Sequence, residues 1–263
     1  MATTERRDEG HLSGTTIVLG LLCAGVIVWV LNSMGGQASE PGTPDLGTLS
    51  ASTTKTTVAG APRDPDPGHA TDGLVVRVPK PLALRSSPDG PAFGKIGPRQ
   101  FGPTWLPVIH QVDGWVQVLL PSRPNGSTGW LRSDQVGHEV SPYLIRVHLA
   151  SRSLELSFED RLTGSWPVAV GAPATPTPVG RTFVLGSITD PGQPYSPVIL
   201  PLGMHSETLD TYGGGPGTVA LHTWPDSSVF GTAASHGCVR VTSEALDHLT
   251  AVPLGTLVLI DRK

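Results

Sequence analysis

A histidine and a short run ending in cysteine and arginine lie near the C-terminal end of the chain, and these residue types suit acyl transfer. They are His222 and, after a loop, Ser235-His236-Gly237-Cys238-Val239-Arg240. Cysteine catalysis needs a sulfur nucleophile, a base that takes its proton and donors for the oxyanion. Cys238 is the candidate nucleophile and His222 the candidate base. Pairing with a histidine can lower the pKa of a thiol to roughly 3.5–7.5.

The same side chains offer a second chemistry, which is metal binding. His222, His236 and Cys238 could ligate zinc, with His205 as the fourth ligand. However, His236 and Cys238 are only two positions apart, and no Cys-x-x-Cys or His-Glu-x-x-His motif accompanies them. We therefore expect neither a metal nor another cofactor, and we interpret His236 as a hydrogen-bonding loop residue.

The composition narrows the function classes. The 263 residues include two cysteines, of which Cys23 lies in an apolar run, so a disulfide framework is excluded. With 18 basic and 22 acidic side chains the net charge is −4, which argues against nucleic-acid binding. Only 38% of residues are apolar, while Gly (32) and Pro (26) are abundant. This balance favours β structure with many turns over a helical bundle.

Residues 12–34 form an uncharged, largely apolar segment that is long enough to cross a bilayer core of roughly 30 Å. Arg6 and Arg7 precede the segment, and the next basic residue is Lys55. This bias predicts a cytoplasmic tail over 1–11, a single-pass anchor in the cell membrane and an extracytoplasmic remainder that faces the cell wall. A cleaved signal peptide is the alternative, because Gly36-Gln37-Ala38 loosely resembles a cleavage site.

The next segment, residues 35–71, has the composition of a flexible linker. Pro, Gly, Ser and Thr supply 20 of the 36 residues from 35 to 70, and none is aromatic. Such a stretch buries too little apolar surface to offset its ordering entropy. We therefore predict a disordered stalk.

Residues 72–140 read as a small β-barrel module. Five short apolar runs separated by Gly and Pro predict strands at 74–78, 82–85, 105–111, 115–120 and 129–132. The segment resembles the bacterial Src-homology-3-like module of cell-wall enzymes through Leu84-Arg85-Ser86-Ser87-Pro88, Asp113–Val118 and Gly129-Trp130-Leu131. The alternative is an unrelated β-subdomain that only spaces the next one.

The remaining residues, 141–263, predict a second, mostly β domain with one helix. Strands are expected at 143–149, 154–158, 166–170, 182–188, 198–202, 218–222 and 256–260. The helix is predicted over 242–250, with Thr242 or Ser243 as its N-cap and Glu244 in its first turn.

This domain resembles the L,D-transpeptidase (YkuD-type) family over roughly residues 142–261. The family signature is a histidine, a variable loop and then Ser/Thr-His-Gly-Cys, a hydrophobic residue and Arg or Asn. His222 and Ser235–Arg240 match it. Further similar features are Thr177-Pro178-Val179-Gly180, Gly213–Gly217 and Leu254–Val258. Two departures are Thr223-Trp224, where many relatives have glycine after the histidine, and a slightly short loop before Ser235.

The resemblance implies a role for each site residue. Cys238 attacks the carbonyl of meso-diaminopimelate in a peptidoglycan tetrapeptide stem and expels D-alanine. His222 is the base, with the carbonyl of Thr223 as the candidate acceptor for its other ring nitrogen. The N–H groups of His236, Gly237 and Cys238 are candidate oxyanion donors. Arg240 anchors a substrate carboxylate or braces the loop, and His205 lines the pocket or is a surface residue. The residues expected around the substrate are Thr223, His205, Ser235, His236, Gly237 and Arg240.

Stem peptides are thus the expected partners, as both donor and acceptor, and we expect the chain to act as a monomer. A diaminopimelate amine that resolves the thioester gives a cross-link, whereas water makes the protein an L,D-carboxypeptidase. Carbapenems are expected to acylate Cys238, as the resemblance implies. A non-catalytic ectodomain that binds the cell wall is the non-enzymatic alternative.

Overall fold

The computed structural model describes residues 44–263. The predicted cytoplasmic tail, the predicted anchor at 12–34 and the first part of the predicted linker lie outside these residues. Within residues 44–263, no helix has both the length and the apolar character needed to cross a membrane. The described chain is mostly β, with one α-helix and two short 3₁₀ turns at Ser133–Gln135 and Ser227–Val229.

The N-terminal half of the described chain forms one seven-stranded sheet. Its strands are β1 (Leu74–Arg77), β2 (Leu82–Arg85), β3 (Ala92–Ile96), β4 (Trp105–Val112), β5 (Trp115–Leu119), β6 (Thr128–Arg132) and β7 (Gly137–Val140). All five predicted strands are present. The prediction missed β3 and β7. In β3 (AFGKI) Gly94 and Lys95 interrupt the apolar residues, and β7 (GHEV) has one apolar residue and is exposed at every position.

The predicted closed barrel is wrong for the residues that the structure describes. The strand order is β3-β2-β6-β5-β4-β1-β7, so β3 and β7 are edges and do not pair with each other. The N-terminal segment, and not β7, pairs with the outer edge of β3. Strand β7 pairs with β1, and Ala51 forms a parallel bridge with Lys95 of β3. The likeness to the Src-homology-3-like module stays a prediction.

The predicted flexible linker is also wrong from residue 44 onward, because this segment pairs with the sheet. The amide of Ser52 and the carbonyl of Ser50 bond to Lys95, at 2.7 and 2.9 Å. Thr56 and Val58 bond in the same way to the backbone of Arg123. The side chains of Ser52, Thr54 and Val58 are buried. The composition predicts disorder, but the edge of β3 and the turn between β5 and β6 satisfy the backbone of this segment without a large apolar surface.

The C-terminal half contains three further sheets. A five-stranded sheet has the order β10-β9-β8-β17-β12, a three-stranded sheet the order β13-β14-β16, and a short pair is β11-β15. The strands are β8 (Tyr143–His148), β9 (Ser153–Phe158), β10 (Arg161–Pro167), β11 (Val170–Gly171), β12 (Gly180–Phe183), β13 (Ile199–His205), β14 (Thr218–His222), β15 (Ala233–Ser235), β16 (Val239–Arg240) and β17 (Leu257–Asp261).

The helix α1 (Ser243–Leu249) lies where the sequence predicts it. Thr242 is the N-cap, and its hydroxyl accepts a hydrogen bond from the amide of Ala245 at 3.1 Å. Glu244 in the first turn and His248 in the last suit the helix dipole. Leu246 and Leu249 bury one face of the helix in the core of the C-terminal half.

Two hydrophobic clusters build the interior, and they do not divide at the predicted boundary near residue 141. One cluster fills the C-terminal half beneath β14, β16 and α1. The other fills the N-terminal sheet and includes Phe183, Leu185 and Leu257 of the C-terminal half. Gly203 permits this junction, because a Cβ there would lie 2.3 Å from the ring of Phe183. The two halves are therefore joined by a common hydrophobic cluster.

Candidate active site

Strands β14 and β16 place the candidate nucleophile and base on one face of a sheet. They pair in parallel, with Leu221 opposite Val239 and His222 opposite Arg240. Val219, Leu221, Val239 and Val241 belong to the hydrophobic core. Because side chains alternate along a strand, His222, Cys238 and Arg240 lie on the opposite face. The sheet therefore sets Cys238 beside Ala220, diagonally adjacent to His222.

The ring of His222 is held in one orientation by its neighbour. Its Nδ1 lies 2.7 Å from the carbonyl oxygen of Thr223, the acceptor that the sequence predicts. A carbonyl only accepts, so Nδ1 carries the proton and Nε2 is left with a free lone pair. Thr223 is fixed in turn, since its amide donates to Ser196 Oγ and its hydroxyl donates to the carbonyl of Tyr195.

The electrostatics keep His222 neutral. Burial lowers the pKa of His222, the carbonyl of Thr223 acts in the opposite direction, and the positive charge of Arg240 lowers the pKa further. A neutral imidazole with a free Nε2 is in the state required of a general base.

The thiol of Cys238 differs from the sequence-based expectation. Burial raises the pKa of Cys238 above its usual value, and a hydrogen bond from the backbone of Ala220 and the charge of Arg240 offset only part of this. Burial thus acts against the lowering of the thiol pKa that pairing with a histidine can give. A thiolate is poorly solvated at this site, so the resting pair is a neutral thiol and a neutral imidazole.

The turn that carries Cys238 is tied down on both sides. The Ser235 hydroxyl donates to the carbonyl of Cys238 and accepts from the amide of Gly237 at 3.1 Å. The Thr177 hydroxyl donates to the carbonyl of Gly237 at 2.9 Å, and the φ of Gly237 is +115°. Because the amide of Gly237 already donates to Ser235, the N–H groups of His236 and Cys238 are the candidates left for an oxyanion.

Arg240 is a buried cation without a carboxylate partner among residues 44–263. It is 8% exposed, and its guanidinium carbon lies 3.7 Å from the centre of the Trp224 ring. Its Nε has no hydrogen-bond partner in the described part of the chain. Trp224 belongs to the Thr223-Trp224 pair that departs from the family signature, and here it holds Arg240 by a cation–π contact.

Two tyrosines complete the site, and the sequence reasoning missed both. The ring of Tyr195 lies 5.0 Å from that of His222 and 5.3 Å from that of Trp224. Tyr212 stacks on His236 at 4.9 Å, and its hydroxyl lies 3.2 Å from His236 Nδ1. Tyr212 directly precedes the Gly213–Gly217 run, and this adjacency could have indicated a residue of the site. Tyr195 lies in an irregular proline-flanked segment without such a signal.

A small cleft opens beside the thiol. The residues that line it with Cys238 are Ser206, Leu209, Tyr212, Gly217, Thr218, Val219, His236 and Gly237. A larger cavity of about 530 Å³ lies elsewhere, between residues 65–74, β4 and Arg181, and Cys238 does not line it. The smaller cleft is the one that Cys238 lines, while His222 is not among its lining residues.

His205 does not line the cleft and is not a surface residue, so both expectations for it are wrong. The side chain is 1% exposed, and its Nε2 lies 2.8 Å from the carbonyl of Thr54. Burial, together with the charge of Arg123, lowers the pKa of His205 to about 4, although the Thr54 carbonyl acts against this. Within residues 44–263, no three His, Cys, Asp or Glu side chains are grouped as metal ligands, so the four residues named for zinc do not assemble.

Comparison with known proteins gives a consistent result. The family model for the L,D-transpeptidase catalytic domain (YkuD) matches residues 142–260. The YkuD protein of Bacillus subtilis strain 168, assigned as an L,D-transpeptidase, is 30% identical over 122 residues, which are 46% of this chain and 67% of the relative. Its Bacillus licheniformis counterpart is 31% identical over 152 residues, 55% of this chain and 85% of the relative.

Solved structures resemble this chain at lower identity. An X-ray crystal structure of an L,D-transpeptidase from Mycobacterium tuberculosis H37Rv shares 14% identity, with a TM-score of 0.42. The match covers 60% of this chain and 93% of that chain.

Proposed function

Because this chain belongs to the L,D-transpeptidase (YkuD) family, we propose that it cross-links peptidoglycan stem peptides through a thioester on Cys238. The observation that carries the proposal is the pairing of β14 with β16. It puts the thiol of Cys238, which lines the small cleft, diagonally beside a buried neutral imidazole whose Nε2 is free. An inert wall-binding ectodomain has no need for this arrangement.

In the proposed first half-reaction, Nε2 of His222 takes the proton of Cys238 as the sulfur attacks the carbonyl of diaminopimelate. The oxyanion of the tetrahedral intermediate accepts hydrogen bonds from the N–H groups of His236 and Cys238. The intermediate collapses as the C–N bond breaks. The leaving amine of D-alanine takes the proton back from the imidazolium of His222, and a thioester remains.

The second half-reaction reverses the proton movements. The side-chain amine of a second diaminopimelate attacks the thioester and transfers a proton to His222. The C–S bond breaks, and the sulfur recovers its proton from the imidazolium. The energy of the cleaved amide is carried in the thioester, so no nucleotide is consumed.

Arg240 is proposed to hold a carboxylate of the donor stem. A buried guanidinium without an anionic partner is costly, and a substrate carboxylate would supply the missing charge. The alternative, that Arg240 only braces the loop, is supported by its contact with Trp224. The two roles separate in kinetics, because loss of an anchor raises KM for the donor.

The location of the enzyme is also a proposal. The basic residues before the apolar segment 12–34 favour a membrane anchor with the catalytic domain outside the cell. Such a location places Cys238 in reach of the wall polymer.

The deciding experiment is mass spectrometry of products after the chain is incubated with a purified disaccharide tetrapeptide. A dimer that has lost one D-alanine supports transpeptidation, and a tripeptide monomer alone indicates the L,D-carboxypeptidase. Untouched substrate, with the Cys238 thiol still titratable, would contradict the proposal and favour the wall-binding ectodomain. Cys238→Ala is the matched control, and it should give no product.

A further inference from the structure

We propose that Arg123, in the turn between β5 and β6, positions the loop of residues 206–217 that forms a wall of the cleft beside Cys238. This segment is called the cleft loop below. The proposal rests on the proposed function, because it assigns the N-terminal sheet a part in binding the stem peptide. Arg123 acts through the cleft loop and is a positioning residue, since it does not line the cleft.

The guanidinium of Arg123 gathers carbonyls from both ends of the cleft loop. It donates to the carbonyl of Pro216 at 3.0 Å, to that of Leu209 at 3.3 Å and to that of Ser206 at 3.5 Å. A rigid fork with five donors suits several carbonyls at once, which a single ammonium group does not.

The neighbouring Asn125 fixes the strand that leads into the cleft loop. Its side-chain amide donates to the carbonyl of His205 at 2.7 Å, and its side-chain oxygen accepts from the amide of His205 at 2.9 Å. Arg123 is itself anchored, because its backbone pairs with Thr56 and Val58 at 2.9 and 3.2 Å. The contacts thus run without interruption from the N-terminal segment to the cleft loop.

The cleft loop needs this external support. It holds four glycines, and Gly213, Gly214 and Gly217 have positive φ values. Glycine loses more conformational freedom on ordering than any other residue, so the loop is costly to hold still. Gly217 also allows the close approach, because a Cβ there would lie 2.3 Å from the carbonyl oxygen of Leu209 and 3.4 Å from Arg123 Nη2.

Tyr212 connects the cleft loop to the turn that precedes Cys238. Its ring stacks on His236, two residues before Cys238, and its hydroxyl lies 3.2 Å from His236 Nδ1. Ser206 and Leu209, whose carbonyls Arg123 binds, line the same cleft. A shift of this wall changes the fit of the stem peptide without altering the pairing of Cys238 with His222.

The test compares the full chain with Arg123→Ala, Arg123→Lys and the control Arg85→Ala. Arg85 also donates to a backbone carbonyl, that of Gly90, but within its own hairpin. We expect Arg123→Ala to raise KM for the tetrapeptide donor ~10-fold and to change kcat less than ~2-fold. Arg123→Lys, which keeps the charge without the fork, should show a smaller rise. The rate at which iodoacetamide alkylates Cys238 should stay at the wild-type value in every variant, and Arg85→Ala should keep the wild-type KM.

Hydrogen exchange of the same proteins separates this proposal from the proposed function. Amides of residues 206–217 should exchange faster in both Arg123 variants, while those of β5 keep their protection. If Arg123→Ala does not fold, the KM and the hydrogen exchange of Arg123→Lys test the positioning role instead. Wild-type KM together with unchanged exchange of the cleft loop would overturn the positioning role. A wild-type chain that does not turn over the tetrapeptide refutes the proposed function, and the exchange of the cleft loop then still decides the role of Arg123.

Discussion

Protonation of His205 should destabilise the folded chain as the pH falls from neutral towards 4. The side chain is almost fully buried, and its Nδ1 has no partner among the described residues. Burial and the nearby charge of Arg123 lower its pKa to about 4, whereas an unfolded chain protonates histidine near the ordinary value of 6.5. Between these two values the unfolded state binds more protons than the folded state, so stability rises with pH in this window.

The magnitude follows from the two pKa values. One pKa unit corresponds to ~1.4 kcal/mol, and the interval from 6.5 to about 4 therefore gives a loss of about 3 kcal/mol by pH 4. The full contribution is present above pH 6.5, and about half of the loss is expected by pH 5.5. A loss of this size is a large fraction of the stability of an ordinary domain.

Urea unfolding of the wild type and of His205→Gln at pH 7, 5.5 and 4 measures the effect. Glutamine keeps a donor for the carbonyl of Thr54 and has no titrating group, so the difference in unfolding free energy between the two proteins should change by about 3 kcal/mol between pH 7 and 4. Contributions of other groups, such as His222, cancel in this difference. A difference that stays constant with pH would refute the argument that a buried neutral imidazole joins the N-terminal segment to the site.

Three further predictions concern catalysis and local stability. Cys238→Ala should abolish the acyl-enzyme, and His222→Ala should slow its formation by roughly 10²–10⁴-fold. Both effects are measured as the mass increase of the chain after incubation with a carbapenem. Acylation of the Cys238→Ala variant would contradict the role of the thiol. Because burial raises the pKa of Cys238, its thiol should react with iodoacetamide more slowly than free cysteine at pH 7. Its reaction rate should still increase at a pH where the rate of free cysteine has become constant. A reaction faster than that of free cysteine at acidic pH would show a thiolate instead. Replacing the N-cap, Thr242→Ala, should cost about 1 kcal/mol of unfolding free energy, with Thr250→Ala at the other end of α1 as the control; equal losses in both would argue against the cap.

The candidate nucleophile and base could be named because the residues proposed for the chemistry, His222 and the Ser235–Arg240 run, are local in the sequence. The predicted acceptor for the ring of His222, the carbonyl of Thr223, belongs to the next residue and lies 2.7 Å from Nδ1. The pKa values and neighbours of these groups depend on residues that are distant in the sequence. The direction of the Cys238 pKa depends on how deeply the surrounding sheets bury the thiol, and a motif does not report burial. Tyr195 is brought to His222 from an irregular segment 27 positions away, which no periodicity indicates.

The strands were predictable where a short apolar run stands between turn residues, as in β14 and β5, and the helix was predictable because Thr242 supplies a recognisable cap. The edges of the N-terminal sheet were not. Strand β7 is wholly exposed and has no apolar run that would indicate a strand. The segment from residue 44 is held by backbone hydrogen bonds, which its Ser and Thr side chains do not indicate. His205 was misplaced for the same reason, because its partners Thr54 and Asn125 are 151 and 80 positions away.

The pairing of residues 50–52 with β3 also bears on how this protein behaves when it is cut. A chain shortened to begin at residue 72 would leave the outer backbone of β3 unpaired, and an open strand edge is a template on which another copy can add its own strands. The same cut would remove the carbonyl that receives the ring of His205. Proteolysis between residues 54 and 71 would therefore yield a fragment that keeps Cys238 and His222 and yet tends to self-associate, and a shortened chain should begin before residue 44.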